Sequence, residues 1–287
     1  MSYIMYFLIL MADGYFAYII TASAEISIIA MIVIICATCL MQIISFLSLR
    51  PTSLKKLRLA DRNALEAATA ELKYCAEETN FRLPKKLHVY MNKSSDMNAF
   101  AVGRNKVILT SGLLEHLRYD SRTLAAVIAH EVGHLKRFHC YATAIVNLNI
   151  LVIALFFSLV NFGFVTVITA LLFFILSIVM NDCIALCISG LIGKILKALL
   201  SFASNIIILL HMAVAAIFFR RMEYNADRTA ACLSLGVELI GFLYMLENIK
   251  SNEKRSFVET IQSSHPPTYS RIKRLEEYEA EAYPLLS

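Results

Sequence analysis

His130-Glu131-Val132-Gly133-His134 is the segment best equipped to do chemistry. On a helix, side chains four residues apart project from one face, so His130 and His134 can offer two imidazole nitrogens to a single metal ion. Glu131 follows the first of them and points toward the remaining coordination position. Zinc suits such a site: it accepts imidazole nitrogen, keeps a fourth position open in enzymes and lowers the pKa of a water it binds to about 7. A carboxylate beside that water can take its proton during attack on a peptide carbonyl and pass it to the leaving amine. The pattern is short and arises by chance on solvated helices. Here Val127, Ile128, Ala129 and Val132 surround it, and two imidazoles and a carboxylate in apolar company need partners. The reading is one zinc ion per chain.

Such a site wants a third protein ligand, and Arg221-Met222-Glu223-Tyr224-Asn225-Ala226-Asp227 offers one. Glu223 and Asp227 lie four apart on an expected helix. Glu223 can complete the metal shell while Asp227 accepts the second N–H of a ligand histidine and fixes its tautomer. Spacing alone equally allows a solvated charged turn with Glu223 paired to Arg220 or Asp227 to Arg228.

The elements that must position these groups are partly legible. Ser121 is a good N-cap for a helix from Arg122 to at least His139. Residues 62–79 read as a helix with Leu65, Ala68 and Leu72 on one face. Residues 87–91 read as a strand, and 98–102 and 106–110 as a hairpin turning at Gly103-Arg104-Asn105. His88 falls in a strand and His116 on a helix. His139, at the membrane edge five residues past His134, is too far round the helix to share the metal.

Composition puts this machinery at a bilayer. The chain of 287 residues is 58% hydrophobic and 17% charged, outside the usual range of soluble domains. Residues 26–49 are almost uncharged, and 141–219 carry only Asp182, Lys194 and Lys197 as formal charges; runs this long read as membrane helices. Residues 1–20 are apolar without a basic leader and read as a first membrane helix. Asp13 within it implies packing against protein or water, or shifted boundaries. Seven cysteines, an odd number, imply no disulfide framework. The net charge of +5 has no clustered basic patch, so nucleic acid is not an expected partner. His211, inside an apolar run, is a candidate for proton handling but more simply a structural residue.

Four blocks follow: 1–49, a transmembrane hairpin; 50–140, the first half of a catalytic domain; 141–219, a transmembrane block; and 220–287, the second half. Arg50, Lys55, Lys56 and Arg58, then Lys136 and Arg137, then Arg220 and Arg221 flank the apolar runs. Basic flanks face the cytoplasm, so the catalytic domain is expected there, in a multi-pass membrane protein. The block 141–219 must then cross an even number of times. Four crossings need turns near 161–163, 181–182 and 201–204; two long crossings leave an interfacial piece around 183–197.

Asn98-Ala99-Phe100-Ala101, then HEVGH, then Glu223-Tyr224-Asn225-Ala226-Asp227, then His265-Pro266-Pro267 with Arg271 following, in that order, resemble the HtpX-type membrane zinc metallopeptidases. These are relatives of the CAAX prenyl endopeptidases and of a mitochondrial inner-membrane protease. The resemblance covers about residues 72–275 and the two-helix N-terminus. It implies an α-helical integral membrane protein with a mainly helical, zincin-like (gluzincin) catalytic domain containing a small β-hairpin or sheet. It also implies zinc held by His130, His134 and Glu223, with Glu131 as catalytic base and Asp227 behind a ligand. Asn98, Ala99, Phe100 and Ala101 would form an edge strand that pairs with an extended substrate. His265 would help hold the developing oxyanion, although Pro266-Pro267-Thr268 also serve as a start signal for a helix ending near Ala280. The implied activity is endoproteolysis of polypeptides, membrane proteins among them, in quality control at the lipid bilayer. A CAAX-type prenyl protease is the nearest enzymatic alternative, and a non-catalytic membrane adaptor retaining a structural zinc is the alternative from another class. Two features depart from the family: Val102 stands where threonine is common, and apolar residues replace a Gly-rich polar loop often found between the third and fourth helices.

Overall fold

The computed structural model describes residues 11, 15, 23–137, 139–250 and 266–282. Nearly all of the expected first membrane helix, and His265, lie outside the described residues. The chain divides into two compact units, residues 1–145 with 217–287, and residues 146–216.

The first unit holds helix α1 (Ala24–Ser48), strand β1 (Thr52–Ser53), a 3-10 turn (Leu54–Lys56), α2 (Leu59–Glu78), β2 (His88–Asn92), β3 (Ala99–Val102), β4 (Lys106–Thr110), α3 (Ser111–Leu117) and α4 (Ser121–Lys136). It also takes in the first turns of α5 (His139–Val179), the last turns of α6 (Asp182–Ala231), then α7 (Gly236–Lys250) and α8 (Thr268–Ala282). The four strands run in the order β1-β2-β4-β3, with β2 and β4 parallel and the other pairs antiparallel. The β3–β4 hairpin turns where expected, and Gly103 sits there at φ +65°, a left-handed conformation open to a residue without Cβ. β3 is an edge strand.

Alternation and helical periodicity explain this core. Leu65, Ala68 and Leu72 form the fully buried face of α2. α4 is buried on almost every side: Leu124, Ala125, Ile128, Ala129 and Val132 are at 0% exposure. It packs against α2, α3, α7, β3 and β4, which is how a helix apolar all round is satisfied. Ion pairs tie its entrance down, Arg122 reaching Glu238 on α7 at 2.7 Å and Glu71 on α2 at 3.4 Å.

Two expectations about α4 need correcting. Its N-cap is Asp120, whose carboxylate accepts the Thr123 N–H at 2.9 Å, rather than Ser121. Its far end is Lys136 rather than His139: Arg137 leaves the helix in a turn and α5 starts afresh at His139. Neither glycine nor proline marks the break.

The second unit contains only parts of α5 and α6. α5 has 41 residues and α6 has 50; at about 1.5 Å per residue each exceeds a hydrocarbon core of about 30 Å. With α1 they are the three helices among the described residues long and apolar enough to cross a membrane. Leu151, Phe156, Leu159, Phe162 and Phe174 remain exposed on them, as a lipid-facing surface requires. The chain turns once, at residues 180–181, where Asn181 Oδ1 accepts the Cys183 N–H at 2.8 Å. Helix runs through 161–163 and 201–204 instead of turning, and Asn161 Nδ2 donates to Ser201 Oγ across the pair at 3.3 Å. Residues 183–197 are the first turns of α6, not a separate interfacial piece.

Leu124→Ala opens a cavity in the most enclosed part of the fold and should cost about 2–5 kcal/mol. Tyr119→Ala, at a residue 96% exposed, should change stability by less than about 0.5 kcal/mol. Thermal unfolding in detergent, followed by circular dichroism, should rank the two in that order.

Candidate metal centre

His130 and His134 leave α4 on one face, as their spacing requires, and their Nε2 atoms stand 3.2 Å apart. Glu223 comes to them from α6: its Oε2 lies 3.6 Å from His130 Nε2 and its Oε1 3.4 Å from His134 Nε2. Bonds of about 2.0–2.2 Å at tetrahedral angles would set three donors roughly 3.3–3.6 Å apart; Glu223 meets the two imidazoles near that range through different oxygens, and with one donor atom from each side chain the three lie within 4.8 Å of one another, close enough to hold one metal ion. The donor set, two imidazoles and a carboxylate, suits a divalent ion of the zinc type. Of the described residues, these three form the group that can hold a metal.

The close crossing of α4 and α6 makes this possible. A Cβ added at Gly133 would stand 2.7 Å from Ala226 Cα and 2.9 Å from Thr229 Oγ1. Only glycine inside the HEVGH segment lets the two backbones come this near, and Ala226 opposite is fully buried. Glu223 and Asp227, one turn apart on α6, then both face the histidines.

Each ligand histidine is held from behind. His130 Nδ1 donates to Asp227 Oδ1 at 2.8 Å, which fixes the tautomer that leaves Nε2 free to bind. Asp227 is in turn gripped by Arg271 of α8, through Nε to Oδ2 at 2.9 Å and Nη2 to Oδ1 at 2.6 Å. Arg271 Nη1 also lies 3.5 Å from Glu223 Oε2. The alternative pairing of Asp227 with Arg228 does not occur, because the Arg228 guanidinium sits over the Tyr278 ring at 5.7 Å. Burial would lower the Arg271 pKa, but the Asp227 carboxylate more than offsets it and holds the guanidinium above its ordinary value. Burial likewise pushes His134 down, while hydrogen bonding to Glu223 and the carboxylate charges push it up past the ordinary histidine value. The same negative potential draws a cation.

Glu131 is buried beside His130, at 8% exposure, and its charge is felt at both His134 and Arg271. The β3 edge runs alongside α4. The Asn98 carbonyl accepts the Thr110 N–H, and by the antiparallel register Phe100 and Val102 also turn their backbone groups toward β4. Ala99 and Ala101 therefore present theirs to the open edge. There the Asn98 side chain accepts the Ala99 N–H at 2.9 Å, and the Cys140 thiol donates to the Ala101 carbonyl at 3.1 Å. Pro266 and Pro267 do lead into α8, while His265 itself lies outside the described residues.

Sequence reasoning gave no role to two side chains that the structure places at the site. Arg271 carried a signal, its fixed place after His265-Pro266-Pro267, but not its target. His139 meets His134 only because α4 ends at Lys136. Arg271→Ala would leave Asp227, with 2% of its side chain exposed, short of its cationic partner. Breaking one side of a buried pair should cost about 3–5 kcal/mol, read as reduced unfolding stability of the metal-free protein, and Arg271→Lys should not restore the two-pronged grip.

The model of peptidase family M48 matches residues 62–279. A protease HtpX homolog of Tropheryma whipplei (strain TW08/27) is 30% identical over 215 residues, covering 66% of this chain and 65% of that protein. The alignment thus spans just under two thirds of that relative's length. Protease HtpX of Pasteurella multocida (strain Pm70) is 27% identical over 222 residues, 71% of this chain and 70% of the other. The crystal structure of S. mikatae Ste24p compares with a TM-score of 0.48 at 17% identity, covering 93% of this chain and 61% of that one. A family match that runs from α2 into α8, and so takes in every side chain of the metal centre, shows that this chain belongs to peptidase family M48.

Proposed function

We propose that this protein is a membrane-bound, zinc-dependent endopeptidase, and that one observation carries the reading: His130, His134 and Glu223 converge with metal-binding dimensions beside the buried Glu131. Bound zinc supplies Lewis acidity and an activated water at neutral pH. Glu131 acts as general base toward that water and then as acid toward the departing amine. Asp227 keeps His130 in its binding tautomer. The substrate lies extended along β3, held by the outward Ala99 carbonyl and Ala101 N–H. His265 donates to the carbonyl oxygen as that atom gains negative charge.

The basic flanks of the membrane segments support a cytoplasmic face for the site, in the inner membrane. The substrates proposed are polypeptides, membrane proteins in particular, cut during quality control. HtpX proteases among the relatives support the protease half of that reading.

The test compares bound zinc and cleavage of a denatured protein by wild type, Glu131→Gln and Glu223→Ala. Glu131→Gln should keep its zinc and lose about 10²–10⁴-fold in rate, while Glu223→Ala should lose most of its zinc. Equal cleavage by all three would remove the enzymatic reading and leave a membrane adaptor. The edge strand is tested separately. Ala101→Pro deletes an N–H that faces away from β4, so it should raise KM with little change in unfolding temperature. Phe100→Pro deletes one within the ladder and should lower that temperature clearly.

A further inference from the structure

His139 opens α5, is 3% exposed, and has its Nδ1 2.7 Å from His134 Nδ1. We propose that His139 is a positioning residue for the metal centre, accepting the Nδ1–H of His134 and thereby fixing which nitrogen of His134 faces Glu223. The inference rests on the metal-binding reading given above.

The hydrogen count leads to this assignment. A neutral imidazole has one N–H and one lone pair. His134 turns Nε2 toward His130 Nε2 and Glu223 Oε1; to bind a metal ion held among these atoms it must offer the Nε2 lone pair, which puts its hydrogen on Nδ1. Two Nδ1 atoms 2.7 Å apart share one hydrogen, and His134 supplies it. His139 must accept, which places its own hydrogen on Nε2. That Nε2 is buried with no hydrogen-bond partner among the described residues. An orphaned buried N–H lowers stability, and the fold tolerates it while directing the other nitrogen at a metal ligand.

The two ligands are thus supported differently. His130 leans on a carboxylate, Asp227; His134 leans on a neutral ring. A second carboxylate there would add to the charge of Glu131, Glu223 and Asp227, already set against the single guanidinium of Arg271. An imidazole gives the acceptor without the charge. The break at Arg137 brings His139 into reach: a continuous helix would set it well round from His134.

The experiment measures zinc affinity of the full chain in detergent, by competition with a chromophoric chelator, and unfolding temperature of the metal-free protein. It compares wild type, His139→Ala, His139→Asn and His134→Ala. Asparagine can place its Oδ1 close to where Nδ1 stood. His139→Ala should weaken zinc binding about 10–100-fold, and His139→Asn should recover most of that loss while its metal-free unfolding temperature stays close to that of His139→Ala. Wild-type affinity in His139→Ala, or no recovery in His139→Asn, would overturn the positioning role while leaving the metal centre standing. Wild type binding zinc no better than His134→Ala would overturn the centre itself and this inference with it.

Discussion

The crossing of α4 and α6 at Gly133 and Ala226 is the contact on which the site depends. Two of the three side chains that could hold a metal ion come from α4 and the third from α6, and a carboxylate side chain is short. Without a Cβ at Gly133 the backbones close to a separation that any other residue would block. Glu223 then reaches both imidazoles, and Asp227, one turn on, reaches the rear nitrogen of His130. A slightly wider crossing would break both relations together, because both acids ride on the same helix face.

Charge is the second constraint, and it follows from the first. Glu131, Glu223 and Asp227 are buried together with the guanidinium of Arg271 set against two of them, for a formal charge of minus two. A buried excess of that kind is costly unless it is paired, and a divalent cation would balance it. Arg271 grips Asp227 with two nitrogens and reaches Glu223 Oε2 at 3.5 Å.

Local pattern carried much of this into the sequence. The four-residue spacing of His130 and His134, the buried stripe of α2 and the glycine at the hairpin turn each follow from a geometry that a few neighbouring residues impose, and each is found where expected. The end of α4 is different. Residues 134–139 have no breaker, and continuing the helix to His139 was the sound local expectation; the turn at Arg137 is decided by what packs around it. Arg271 could be seen as part of a motif, but its partner stands 44 positions earlier, a distance no periodicity spans. The single turn between α5 and α6 was hidden for a related reason. Asn161 and Ser201 looked like turn residues, yet both stand inside apolar helices, where the Asn161 amide donates to the Ser201 hydroxyl, while Asn181 caps a helix start.

The membrane segments are part of the first unit's construction as well as its anchor. The chain leaves the HEVGH helix into α5 and comes back to the first unit in the last turns of α6, which carry Glu223. The first turn of α5 supplies His139 to the ligand and Cys140 to the edge strand. From α1, Gln42 donates to the Cys140 carbonyl at 2.8 Å and accepts the Gly103 N–H at 3.4 Å. A glutamine side chain on an otherwise apolar helix thereby ties one membrane segment to the beginning of another and to the turn that ends β3. Cutting away the apolar helices would remove these ties along with the anchor, so the shape of the edge strand and the seat of His134 depend on residues whose surroundings read, from sequence alone, as nothing more than membrane.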